Sequence, residues 1–133
     1  MVEKKPKAQG FARIVEQMII PFNSAEEFKQ IYDIKDKKIL LNPKDGKYAA
    51  LLIFENGNVR VESVANTPKE NLKKKKLGWN AFLETTLEIF FKISTGELSK
   101  IQVSKKWFGR KLKMRGIRVL LDFLKIISYL NKK

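Results

Sequence analysis

The stretch Tyr-Ala-Ala-Leu-Leu-Ile-Phe (48–54) contains no polar residue apart from the tyrosine hydroxyl, and it ends in Glu-Asn-Gly-Asn (55–58). A continuous apolar run of this length, bounded by turn residues, reads as a strand covered on both faces. Asparagine-glycine is a strong hairpin signal. The segment beyond it, 59–64, sets Val59 and Val61 against Arg60 and Glu62 with a period of two, as a return strand does.

The flanking segments sort by the same periods. Residues 37–41, Lys-Lys-Ile-Leu-Leu, form a short strand before the turn chemistry of 42–46. Residues 65–76 read as a polar loop, and 77–86 as another strand-like run. Lys111, Lys113 and Arg115 alternate with Leu112 and Met114, which suggests a strand over 110–115 with one basic and one buried face. Helical spacing appears in Phe11, Ile14, Val15, Met18 and Ile19, with Pro21 stopping the pattern. Ser24 and Glu27 form a capping box ahead of Phe28, Ile31 and Tyr32. The start therefore reads as two short helices, or one helix broken at Pro21. Thr85 and Glu88 offer a second capping box for a helix over 86–95, which Gly96 stops. The expected architecture is α+β: an antiparallel sheet of about five strands packed against helices.

The last helix, 117–131, carries the most information. Its polar positions Arg118, Asp122, Lys125 and Ser128 form one narrow stripe, and nearly everything else from Ile117 to Leu130 is apolar. A surface helix needs an apolar stripe only somewhat over ~100° wide. The surplus has three outlets: deep clamping into the core, burial against a second chain, or lining a lipid cavity or membrane contact.

Composition narrows the chemistry. The 133 residues are 44% hydrophobic and 32% charged, with a net charge of +14, pI near 10.0, and no cysteine or histidine. One domain over 10–133 behind a flexible basic tail, 1–9, is expected. Disulfides, thiolate or imidazole catalysis and histidine-ligated metal are excluded. The best carboxylate pair is Glu84 with Glu88, and it competes with plain capping and solvation. A non-enzyme without a cofactor is expected. No apolar run approaches the ~20 residues that cross a bilayer, and 1–10 lacks the apolar core of a secretory signal, so the cytoplasm is the default compartment. The charge favours polyanions, whether nucleic acid or an anionic membrane. A small nucleic-acid-binding module would use Lys105, Lys106, Arg110, Lys111, Lys113, Arg115 and the lysines at 73–76. However, 110–116 carries no aromatic inside the strand, as the ribonucleoprotein consensus requires.

From about residue 79 the chain resembles the sterol-carrier-protein lipid-binding family. The matching residues are Ser-Thr-Gly-Glu-Leu (94–98), the aromatics Trp107 and Phe108, Arg-Lys-Leu-Lys-Met-Arg-Gly (110–116) and the apolar helix 117–131. The upstream asparagine-glycine hairpin is similar too. Two departures stand out: Arg110 replaces a glycine, with Gly109 one place earlier, and the linker after Gly96 is slightly longer. The resemblance implies a carrier of lipid or fatty acyl chains, with the last helix closing an apolar tunnel. Ligand-binding residues would be Phe82, Phe90, Phe91, Trp107, Phe108, Leu112, Met114, Leu120, Leu121 and Leu124. Lys106, Arg110, Lys111, Lys113 and Arg115 would meet acidic headgroups, a CoA phosphate or an anionic membrane. The protein would be a monomer or a homodimer.

Overall fold

The computed structural model describes residues 10–24, 26, 35–55, 57–94 and 113–131. Five strands, β1 (Lys38–Pro43), β2 (Tyr48–Glu55), β3 (Asn58–Ala65), β4 (Ala81–Thr85) and β5 (Lys113–Arg115), form one sheet in the order β3-β2-β1-β4-β5. The helices are α1 (Phe11–Ile19), α2 (Lys74–Leu77), α3 (Leu87–Ser94) and α4 (Ile117–Asn131). The expected α+β fold is present, and the last helix has the expected bounds.

One feature of the sheet differs from expectation. It is mixed rather than wholly antiparallel, because β4 runs parallel to β1, from Ala81 opposite Ile39 to Thr85 opposite Pro43. The physical reason lies in the connection. A tight hairpin can join only antiparallel strands, whereas parallel neighbours need a crossover of a dozen or more residues. The β2–β3 hairpin and the segment 66–80 supply that length. Part of that segment, expected as a polar loop, is structured as a tight 3₁₀ turn, Lys69–Leu72, and then α2. Strand β4 consequently starts only at Ala81, four residues later than the apolar run suggests.

Strand β2 is buried on both sides, as its apolar run demands. Ala50, Leu52 and Phe54 belong to the main core with β1 residues Ile39 and Leu41, β4 residue Leu83 and β5 residue Met114. On that face α1 contributes Phe11, Val15 and Ile19, α3 contributes Phe90 and Ile93, and α4 contributes Leu120, Phe123 and Ile127. Ala49, Leu51 and Ile53 point the other way, into a smaller cluster with Leu40, Leu72 and Phe82, against which Leu77 and Trp79 pack. We call these the inner and outer faces.

Helix α1 stops at Ile19, ahead of Pro21, as the pattern requires, and Pro21 sits in a 3₁₀ turn, Ile20–Ser24, that continues directly from it. The turn delivers Asn23 to the edge strand β3, where its side chain accepts from Val59 N (2.8 Å) and donates to Val59 O (3.4 Å). A side-chain amide thus stands in for a strand neighbour at an open edge. The second expected helix, with Ser24 and Glu27, and the tail 1–9 lie outside the described residues apart from Ser24 and Glu26.

Helix α3 is capped differently from the expected Thr85–Glu88 box. Thr85 ends β4, and its carbonyl accepts from Lys44 N at 2.8 Å, which holds it extended. Thr86 Oγ accepts from Ile89 N (3.3 Å), and Asp45 from the β1–β2 turn accepts from Leu87 N (2.9 Å). Glu88 instead pairs with Lys92 at 3.3 Å along the helix.

Gly116 ties α4 to the sheet. Its φ is +64°, and a Cβ there would collide with the Asn80 carbonyl oxygen and sit 3.0 Å from Ala81 Cα. Both the left-handed backbone and the close approach require glycine. Gly116→Ala should therefore cost at least ~2 kcal/mol, from strain and overpacking against backbone that cannot rotate away. A urea melt should show the midpoint falling, and an unchanged midpoint would contradict this geometry.

Candidate functional site

The expected ligand-binding residues divide between two faces of the sheet and the protein surface. On the inner face, Phe90, Met114, Leu120 and Leu124 meet in the main core, with Phe91 packed at its margin. Phe90 makes edge-to-face contacts with Phe11 (5.1 Å) and Phe91 (5.7 Å). Phe82 does not join them. It points to the outer face and stacks on Trp79, with ring centroids 5.3 Å apart. Leu121 points outward and is 44% exposed, whereas Leu120 is wholly buried. A helix turns 100° per residue, so adjacent leucines are not neighbours on one face. Trp107, Phe108 and Leu112 lie outside the described residues, as do Lys106, Arg110 and Lys111.

Helix α4 uses its apolar surplus in two ways. Leu120, Phe123, Leu124, Ile126 and Ile127 are buried, while Ile117, Leu121 and Tyr129 are exposed beside Arg118 and Lys125. Leu124, Leu121 and Ile117 follow one another at helical spacing, so an apolar border runs from the core out to solvent. Among the described residues, two crevices against the inner-face core are narrow. The crevice lined by Phe11, Leu41, Pro43, Leu83, Thr85 and Phe90 offers about 0 Å³, and one near Phe22 and Phe54 about 10 Å³. A water molecule needs roughly 10–15 Å³ on that scale, so neither space admits an acyl chain as it stands.

On the outer face, polar and charged groups follow the strand order. On β3, burial is the largest single influence on Arg60 and opposes its charge, but hydrogen bonds and charge attraction from Glu55 and Glu62 together outweigh it and hold the guanidinium above its usual pKa. That cation is matched. Between β1 and β4, Asn42 donates to Glu84 (2.8 Å) and accepts from Asn66 (3.0 Å), which also donates to Gly46 O (2.9 Å). Glu84 is thus part of a structural network on the outer face, while Glu88 is exposed on α3, so the two do not form a carboxylate site. On β5, Lys113 and Arg115 are exposed on either side of buried Met114, as the alternation requires. Their register partners are Glu84 and Phe82, which places both on the outer face.

Trp79 on this face is not among the site residues expected from the sequence. Trp79 donates its indole N–H to Leu72 O (2.9 Å), and Lys74 Nζ lies 5.8 Å from its ring centroid. Lys113 Nζ lies at the same distance from Phe82. The available signal was the recurrence of Leu72, Leu77 and Trp79 through an otherwise lysine-rich stretch. Among the described residues, no helix is long and apolar enough to cross a membrane.

No family model matches the sequence, and no curated protein matches it. Solved structures do match the fold. Sterol carrier protein 2 from Yarrowia lipolytica, in its apo form, superposes with a TM-score of 0.61 at 18% identity, covering 95% of this chain and 98% of that one. UbiJ-SCP2, a ubiquinone synthesis protein, gives 0.61 at 11% identity, covering 96% of each chain. A conserved hypothetical protein from Thermus thermophilus, described as a possible sterol carrier protein, gives 0.56 at 10% identity, covering 98% of this chain and 94% of that one. The chain has the fold of a sterol carrier protein domain over nearly its whole length. The resemblance expected from the C-terminal motifs holds at the level of the fold.

The opposite placement of adjacent leucines gives a direct check on α4. Leu120→Ala should cost about 2–5 kcal/mol through the cavity it leaves, and Leu121→Ala should stay within about 0.5 kcal/mol. Equal losses in urea melts of the two variants would mean the helix is rotated from the position described.

Proposed function

We propose that this protein binds and carries a lipid or fatty acyl chain without acting on it chemically. The observation that carries the reading is the sterol-carrier fold combined with α4, whose apolar surface extends from the core to solvent along Leu124, Leu121 and Ile117. In this reading α4 is a movable cover. Its contacts with the inner face are largely apolar and non-directional, and an acyl chain can replace them. Burying ten methylenes stabilises by about 8 kcal/mol, and each α4 side chain left exposed in exchange would cost about 1.5–3 kcal/mol. Roughly micromolar affinity therefore requires that Leu120, Phe123, Leu124, Ile126 and Ile127 stay covered, resting on the acyl chain as the helix shifts.

Phe90, Phe91 and Met114 would then line the opened space, with Trp107, Phe108 and Leu112 as further candidates. Lys113 and Arg115, with Lys106, Arg110 and Lys111, would meet acidic headgroups or an anionic membrane. The cytoplasm remains the proposed compartment, with a monomer or a homodimer as the working unit. The alternative is a basic nucleic-acid-binding module. Base stacking needs open aromatic faces beside the cations. Here Trp79 and Phe82 cover one another, and Phe82 is only 6% exposed. That observation favours the lipid.

Native mass spectrometry of freshly purified protein should reveal a co-purifying lipid, and a fluorescent fatty acid should titrate into the delipidated protein. Leu121→Gln should weaken uptake severalfold with little loss of stability, because the position is exposed in the closed form. Absence of both bound lipid and uptake, with tight salt-sensitive RNA binding instead, would replace this reading with the nucleic-acid one.

A further inference from the structure

We infer that the lysine-rich helix α2, seated beside the Trp79–Phe82 stack, docks the protein on the surface of an anionic lipid bilayer by the outer face of the sheet. The inference deepens the carrier reading and rests on it for its purpose, the exchange of lipid at a membrane.

Lys73 to Lys76 are four successive exposed lysines. They are not a floating loop. Leu72 on one side and Leu77 with Trp79 on the other fasten the turn to the outer-face cluster. Gly78, in the left-handed conformation, closes the helix by donating to Lys74 O at 2.7 Å. The run is thus held at a fixed position on the sheet. Successive helical residues point 100° apart, so the four ammonium groups spread over a surface instead of converging on one anion. A spread of strongly hydrated point charges suits a field of many headgroups. Bidentate recognition of one phosphate would call for arginine.

The patch extends beyond the run. The Lys38 ammonium lies beside Gly78, 3.8 Å from where a Cβ would stand. Lys113 reaches over the Phe82 ring from β5. Nearby acidic groups are outnumbered: Glu70 in the preceding 3₁₀ turn and Glu84 opposite Lys113 face Lys38, Lys73 to Lys76, Lys113 and Arg115. The ion pairs of Arg60 and Lys92 lie elsewhere, on β3 and α3. Trp79 is half-buried with its N–H satisfied inward, and amphipathic rings of this kind settle at the headgroup level of bilayers. A second copy of this face would meet like charge, and among its described residues the two rings, Trp79 and Phe82, are stacked on one another instead of lying open to nucleic-acid bases. Charge complementarity therefore points to the lipid surface.

Each lysine near an anionic leaflet changes binding about fivefold, so removing four should weaken it by roughly 10²–10³. The experiment is co-sedimentation of the full chain with phosphatidylcholine vesicles, with and without phosphatidylserine, at low and high salt. Two variants of equal net charge are compared. One carries Gln at Lys73, Lys74, Lys75 and Lys76, the other Gln at the exposed lysines Lys35, Lys44, Lys47 and Lys125. Wild type should bind only vesicles containing phosphatidylserine, and salt should release it. The first variant should lose that binding and the second keep most of it. Both should still take up a fluorescent fatty acid from solution. Equal loss in the two variants would reduce the effect to net charge and overturn the inference. So would a wild type that ignores anionic vesicles, including one whose RNA binding depends on the α2 lysines. If wild type docks as described but no protein takes up fatty acid, the docking surface stands and the carrier reading fails.

Discussion

The parallel pairing of β1 with β4 joins the two halves of the chain into one sheet. Strand β1 lies at the centre of the order β3-β2-β1-β4-β5, and Ile39, Leu40 and Leu41 are essentially inaccessible to solvent. The seam is polar at both ends and apolar between. At its start the Asn80 side chain accepts from Lys38 N (2.8 Å), and Asn80 N donates to Lys38 O (2.7 Å). At its end Asn42 bonds Glu84, and Lys44 N bonds Thr85 O. These bonds satisfy polar groups that burial would otherwise leave unpaired. Helices α3 and α4 enter the core from this seam. Helix α3 starts one residue past it, under the Asp45 cap, and α4 starts from Gly116 pressed against Asn80 and Ala81.

A sheet buried on both faces can divide its tasks between them. The inner face carries the large apolar layer, whose contacts are non-directional, and the proposed lipid would enter there by replacing some of them. The outer face carries a smaller apolar cluster under a lysine-rich turn, with the β3 cation matched by its acidic neighbours. With charge on one face and the apolar layer on the other, the proposed attraction to an anionic surface would not require a charged group near the proposed lipid. Burying such a charge would be costly, since an ion in an apolar pocket forfeits its hydration.

Much of the fold was legible because its periods are strong. The apolar run 48–54, the asparagine-glycine turn and the alternation in 59–64 give β2, the hairpin and β3 nearly as they stand. The polar residues of 117–131 mark a helix whose bounds match. The candidate site was less legible. Phe82 and Phe90 look alike as apolar aromatics near a strand-to-helix junction, yet they lie on opposite sides of the sheet, because β4 presents Phe82 with Leu40 and Leu83 with Leu41. Leu120 and Leu121 are equivalent in composition, and only the rotation of α4 separates them. Trp79 was passed over because the cluster that seats it draws on Leu40, Leu51 and Leu72, residues distant along the chain.

The sequence by itself determined most of the elements, though not α2, together with the two-sided burial of β2, the basic and apolar faces of β5 and the excess apolar surface of α4. Each of these depends on local spacing, which a chain carries whatever its neighbours are. Only the tertiary structure decided that β4 runs parallel to β1, that Lys113 and Arg115 share a face with Phe82, and that Thr86 with Asp45 caps α3 in place of Thr85 with Glu88. Those outcomes depend on long-range pairing, where a one-residue difference in register or start exchanges the two faces of a strand. The lysine run shows the same division. Its charge is plain in the sequence, but its position on the outer face comes from Leu72, Leu77 and Trp79 finding a cluster that strands β1, β2 and β4 assemble.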